Sequence, residues 1–159
     1  MMSATPIPRT LALSMFGDLD VSVIKTMPPG RKPIITYIAA QTKAEKVYHF
    51  IGQEILAGKQ AYFVYPLIED SDVMSLKSAE EMFAELSRDF PHHRLALLHS
   101  KVPEEEARSI MQEFRAGTIH ILVATSVIEV GVDVPNATCM VIEHADRFGL
   151  SALHQLRGR

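Results

Sequence analysis

Residues 121–159 read ILVATSVIEVGVDVPNATCMVIEHADRFGLSALHQLRGR. The stretch opens on an apolar run, Ile121-Leu122-Val123-Ala124, that stops at the hydroxyl pair Thr125-Ser126. A second run, Cys139-Met140-Val141-Ile142, follows Gly131, Asp133, Pro135 and Asn136. Apolar runs this short, bounded by turn residues, predict strands buried on both faces. Small polar residues just past such strands stand where open α/β sheets bind phosphates and other ligands. The closing Gln155-Leu156-Arg157-Gly158-Arg159 carries two guanidiniums whose planar forks suit phosphate oxygens.

Working outward, the same grammar repeats. Ile34–Ala39 is β-branched and aromatic, predicting a strand. Thr42 with Glu45 three residues on forms a capping box, and Ala44, Val47, Ile51 and Ile55 recur at helical spacing until Gly58 supplies a stop. Ala61–Tyr65 predicts a strand ended by Pro66, and Glu69–Asp72 a polar loop. Ser78 and Glu81 make a second capping box, ahead of a face carrying Ala79, Met82, Phe83, Leu86 and Phe90. Arg94–Leu98 is the next strand. Pro103 then opens a helix whose first turn holds Glu104, Glu105 and Glu106, where carboxylates favour the helix dipole. Ala107, Ile110, Met111 and Phe114 give its apolar stripe, and Gly117 ends it. His120–Ala124 and Thr138–Glu143 are the last strands, and 149–156 a short helix. Strands alternating with helices through short connections predict a mostly parallel sheet with helices on both faces. Residues 1–32, rich in Pro and Gly, read instead as a connection.

Bulk composition narrows the function. The 159 residues suit one domain with a real core, and a net charge of −3 provides no global basic field, so any nucleic-acid contact must be local. The single cysteine, Cys139, excludes an internal disulfide and predicts a buried thiol in a reducing compartment. No apolar run reaches the length of a membrane span.

Several chemistries are missing. Gly52–Gln60, GQEILAGKQ, has its glycines six apart, ends on Gln60 where a phosphate loop needs Ser or Thr, and falls in a predicted helix and its cap. Glu143, at a strand end, reads as a sheet-edge carboxylate. The seven histidines show no metal-ligand spacing with Cys139, and the His92-His93 pair reads as the cap of a solvated loop. Metal binding is not expected. At Thr125 and Ser126, two hydroxyls and two backbone donors suit a nucleic-acid phosphate, and a helix N-cap is the alternative from spacing alone. Gly131 permits close backbone approach, while Asp133 can accept from a ribose hydroxyl or a metal-bound water, or simply terminate a turn.

T-S-V-I-E-V-G-V-D-V-P-N-A at 125–137 resembles motif V of superfamily 2 helicases, and Q-L-R-G-R at 155–159 resembles the start of their motif VI. S-A-T-P-I-P-R-T at 3–10, G-D-L-D-V-S-V-I at 17–24 and P-P-G-R-K-P-I at 28–34 bring the resemblance closest to the RecG-like ATP-dependent DNA helicases of bacteria. The resemblance implies a RecA-like three-layer αβα domain, the second motor domain of a longer protein. Residues 1–32 would end the first motor domain and connect the two, and 33–159 would form the second, broken off within motif VI. It further implies ATP and Mg²⁺ as cofactors held mainly by the first motor domain, a wedge domain elsewhere in the parent, branched or duplex DNA as partner, a bacterial cytoplasmic location, and an isolated piece without activity.

Residue by residue, the resemblance places Arg159, with Gln155, in the catalytic role of motif VI. Gly131, Asp133 and Arg157 fall on the nucleotide side, and Ser3, Ala4 and Thr5 in the motif that couples hydrolysis to movement. Thr125 and Ser126 face the DNA backbone, as do Ser100 and Lys101 after an earlier strand, where many members have glycine in place of Ser100. A motor domain of a transcription-repair coupling translocase, sharing S-A-T-P-I-P-R-T, and a non-catalytic nucleic-acid-binding module are the alternatives.

Overall fold

The computed structural model describes residues 33–66, 72–125 and 134–158. These fall into two compact units: Ile38–Phe148, and one to which residues 33–37 and Gly149–Arg159 belong. The larger unit holds four strands, β1 (Gln60–Tyr65), β2 (Leu95–Leu98), β3 (Ile121–Thr125) and β4 (Ala137–Ile142), in the spatial order β2-β3-β1-β4. Every pairing is parallel, so all four strands end on the same edge. Helix α1 (Ala44–Leu56) leads into β1, while α2 (Asp72–Asp89) crosses from β1 to β2 and α3 (Glu104–Arg115) from β2 to β3.

Side-chain alternation along the strands sorts the helices into two layers. Ala61, Phe63 and Tyr65 of β1 with Ile121 and Val123 of β3 form one core cluster with Ile51 and Ile55 of α1 and Leu86 of α2. The intervening Tyr62 points the other way, meeting Phe114 of α3 edge-on with ring centroids 4.9 Å apart. The result is helix, sheet, helix, as expected.

Gly58 and Gly117 end α1 and α3 as their positions predict. Both have positive φ, 81° and 79°, which glycine adopts without a Cβ clash. The two amides that follow each helix return to its last carbonyls: Gly58 to Ile55 and Lys59 to Glu54, Gly117 to Phe114 and Thr118 to Glu113. Both are complete Schellman caps.

Several expectations need correction. Pro33–Ala40 forms no strand; Ile35, Tyr37 and Ile38 are 72, 83 and 102% exposed, and β-branched residues without a neighbouring ladder have nothing to pair with. The first capping box is absent, because Gln41–Lys43 forms a 3-10 turn and the N-cap of α1 is Lys43, with no side-chain bond. The second is absent because α2 already begins at Asp72, leaving Ser78 inside the helix. Asp72, expected in a loop, is therefore helical. Lastly, β4 is only half-buried, since among the described residues it is an edge strand with a neighbour on one side alone. Its Cys139 is half-buried too, and desolvation still pushes the thiol pKa up, so it is no reactive thiolate.

His93 is also more integrated than a solvated loop would make it. Its ring lies 6.2 Å from Phe90 and 5.4 Å from His120, whose Nδ1 accepts the Arg94 amide. Desolvation, then His120 and His92, lowers the His93 pKa. Among the described residues no helix is long and apolar enough to cross a membrane.

Candidate nucleic-acid interface

Because the strands are parallel, their C-terminal ends form one row in the order β2, β3, β1, β4, roughly 4.8 Å apart from strand to strand. Thr125 closes β3 and pairs in register with Tyr65, the last residue of β1. Ser100 and Lys101 follow β2 in a turn closed by the Val102 amide on the His99 carbonyl. The His99 imidazole accepts the Lys101 amide through Nδ1 at 3.2 Å, so His99 holds the turn. Ser100 and Lys101 are both exposed, leaving their hydroxyl and ammonium to solvent. Past β4, the Glu143 amide donates to the Val64 carbonyl and keeps the ladder running one residue further. His144 then takes the left-handed conformation, φ 48°, turning the chain into a 3-10 turn at Ala145–Arg147.

The row brings together Ser100, Lys101 and Thr125 of the expected site residues. Thr125 differs from expectation in one respect: it is only 2% exposed and its hydroxyl has no partner among the described residues. A buried hydroxyl without a hydrogen bond costs about 1–3 kcal/mol. Tyr65, beside it in register, has an unpartnered buried hydroxyl as well, and burial, then Glu143, drives its pKa far above the usual phenol range. Sequence reading passed over Tyr65 because a strand-ending tyrosine looks like core.

Gln155 and Arg157 lie in the other unit, exposed on helix α4 (Leu150–Arg157). Two residues apart on a helix, they point to different faces. Arg159, Gly131, Asp133, Ser126, Ser3, Ala4 and Thr5 fall outside the described residues.

The Gly52–Gln60 stretch is helix, cap and the first residue of β1, and the Gly58 and Lys59 amides that a phosphate would need are taken by the Ile55 and Glu54 carbonyls. Gln60 does something the sequence did not announce: its side-chain amide, 3% exposed, donates to the carbonyls of Phe114 and Ile119 and ties β1 to the end of α3. Among the described residues no cluster of His, Cys, Asp or Glu could hold a metal ion.

A three-layer domain with a parallel sheet and a polar row at its strand ends is a RecA-like α/β domain of the kind found in helicase motors. The chain belongs to the family of helicase conserved C-terminal domains, which residues 42–159 match. It is 67% identical over 159 residues to the ATP-dependent DNA helicase RecG of Treponema pallidum and 56% identical to that of Borreliella burgdorferi, spanning all of this chain and 23% of each relative. A solved structure of RecG bound to a three-way DNA junction superposes with a TM-score of 0.77 at 51% identity, over 99% of this chain and 20% of that one. The helicase domain of Pyrococcus furiosus Hef, 23% identical with a TM-score of 0.53 over 72% of this chain and 22% of that one, shares the fold.

Proposed function

We propose that this chain is the second motor domain of a RecG-like ATP-dependent DNA helicase that remodels branched DNA, forks and four-way junctions, in recombination and repair. The identity to RecG along the whole chain carries this reading, and it favours RecG over a transcription-repair coupling translocase or a stand-alone binding module. Residues 1–32 then connect the first motor domain to this one, and the protein works in the bacterial cytoplasm. ATP and Mg²⁺ bind mainly to the first motor domain. On this chain, Gly131, Asp133 and Arg157 line the nucleotide, Arg159 and Gln155 act in catalysis, and Ser3–Thr5 couple the two. Ser100, Lys101, Thr125 and Ser126 meet DNA phosphates, positioning a strand without reading its sequence.

ATP turnover tests the reading. The complete helicase hydrolyses ATP in response to forked DNA, whereas the 159-residue chain alone shows no turnover with or without it, lacking a phosphate loop. DNA-stimulated turnover by the purified chain alone would overturn the motor-half assignment.

The buried Thr125 hydroxyl gives a sharper test. Thr125→Val keeps the shape and removes a hydroxyl that bonds no described residue, so thermal stability is expected to hold or rise. In the complete helicase the same change should raise the DNA concentration for half-maximal ATPase several-fold, leaving the maximal rate near the parent's. A loss of stability with unchanged DNA response would make Thr125 a structural residue.

A further inference from the structure

The C-terminal ends of β1 and β4 and the middle of α2 enclose a cleft of about 190 Å³ that the phosphate row does not use. Its lining includes Tyr65, Pro66, Ser78, Glu81, Met82 and Glu85. His144 and Arg147, delivered by the left-handed turn after β4, complete it. Since β1 stands between β3 and β4, this cleft is the next station along the row from Thr125.

Its chemistry differs from that of the row. Glu85 and Glu81, the latter 3.8 Å from the Lys77 ammonium on the exposed side of α2, place two carboxylates there, which together disfavour a phosphate. Arg147 faces the same space and forms no ion pair with any described residue, which disfavours a cationic guest. Tyr65, 4% exposed, brings a buried hydroxyl with no partner among the described residues, able to donate or to accept. Met82 and Pro66 add apolar surface. The volume falls below the roughly 300–1,000 Å³ of sites for drug-sized molecules, and suits a single ring system. A flat, neutral group that donates hydrogen bonds to carboxylates matches all of these features. An exocyclic amine on a nucleobase is such a donor, as when Glu or Asp accepts from cytosine N4.

We propose that this cleft receives one amine-bearing nucleobase, adenine, cytosine or guanine, turned out of a strand whose phosphates follow the strand-end row. The inference rests on the DNA-facing role given above to Ser100, Lys101 and Thr125. Glu81 and Glu85 accept from the amine, the Tyr65 hydroxyl gains the partner it lacks, and Arg147 neutralises the phosphate next to the bound base. Single-stranded recognition commonly works this way, with the backbone tracked by charge and individual bases seated in pockets.

The test measures binding of the 159-residue chain to labelled dC, dA and dT homo-oligomers at low salt by fluorescence anisotropy. Thymine lacks an exocyclic amine, so dC and dA are expected to bind about fivefold or more tighter than dT. Glu81→Gln and Glu85→Gln separate base reading from mere repulsion. If the carboxylates only repel the backbone, all three affinities rise together and the dC-to-dT ratio is unchanged, which overturns the proposal. If they read the base, the ratio falls toward one. Tyr65→Phe, which deletes an unpartnered hydroxyl without lowering the melting temperature, should also reduce the ratio. Competition by AMP distinguishes the source: displacement of dC dependent on Glu85 identifies a free adenine nucleotide as the guest, and no displacement identifies a base held in a strand. Equal binding of all oligomers, weakened by Lys101→Ala, would sink the cleft and keep the row. No binding of any oligomer would sink both.

Discussion

Arg159→Ala, made in the complete helicase, is expected to lower the maximal ATP turnover roughly 10³-fold or more while the DNA concentration for half-maximal stimulation stays nearly constant. The expectation follows from the role proposed for motif VI. An arginine that meets the γ-phosphate as charge redistributes stabilises the transition state, and such fingers contribute roughly 10³–10⁵ in rate. An interaction made in the transition state alone lowers kcat and kcat/KM together. Arg159→Lys should rescue poorly, because a single ammonium cannot reproduce a forked planar contact. The readout is steady-state ATPase at saturating forked DNA, with nucleotide affinity measured separately. A maximal rate within a few-fold of the parent would remove Arg159 from catalysis.

Phe63→Ala should have the largest effect on folding. Phe63 is fully buried in β1, which has strands on both sides, and its ring meets Tyr48 edge-to-face at 5.9 Å. Truncating a phenylalanine in such a place removes its transfer free energy and leaves a cavity, at a cost of about 3–5 kcal/mol. For a domain of this length that corresponds to roughly 10 °C in melting temperature. Phe50→Ala is the control: Phe50 is 53% exposed on α1, and its loss should change stability by no more than about 0.5 kcal/mol. Equal effects of the two substitutions would mean that the core is not centred on β1.

Much of the fold was legible because local patterns carry it. Short apolar runs placed β1 to β4 within a residue or so at either end, and Gly58 and Gly117 marked helix ends that the backbone then closed with Schellman caps. The errors share a cause. Ile34–Ala39 has strand propensity, but a strand needs a neighbour, and propensity says nothing about whether one is present. The Thr42 and Ser78 capping boxes are short matches that the chain overrode, one with a 3-10 turn and one with a helix begun six residues earlier.

The site divides in the same way. Ser100, Lys101 and Thr125 could be named from the sequence because each follows an apolar run and matches a family motif. Neither the burial of the Thr125 hydroxyl nor its register with Tyr65 could be read there. Gln60 carried no periodic signal either, since its acceptors lie 54 and 59 residues away.

By itself, then, the sequence determined the α/β class, the alternation of strands and helices, their terminators and the helicase motifs, all of which are encoded in neighbouring residues. The tertiary structure alone decided the order β2-β3-β1-β4, the half-exposure of β4 as an edge, and the meeting of Tyr65 with Glu81, Glu85 and Arg147 around one cleft. Those features depend on which distant strands become neighbours, and that choice is made by packing the whole sheet between its helices, where no short stretch of chain holds the information.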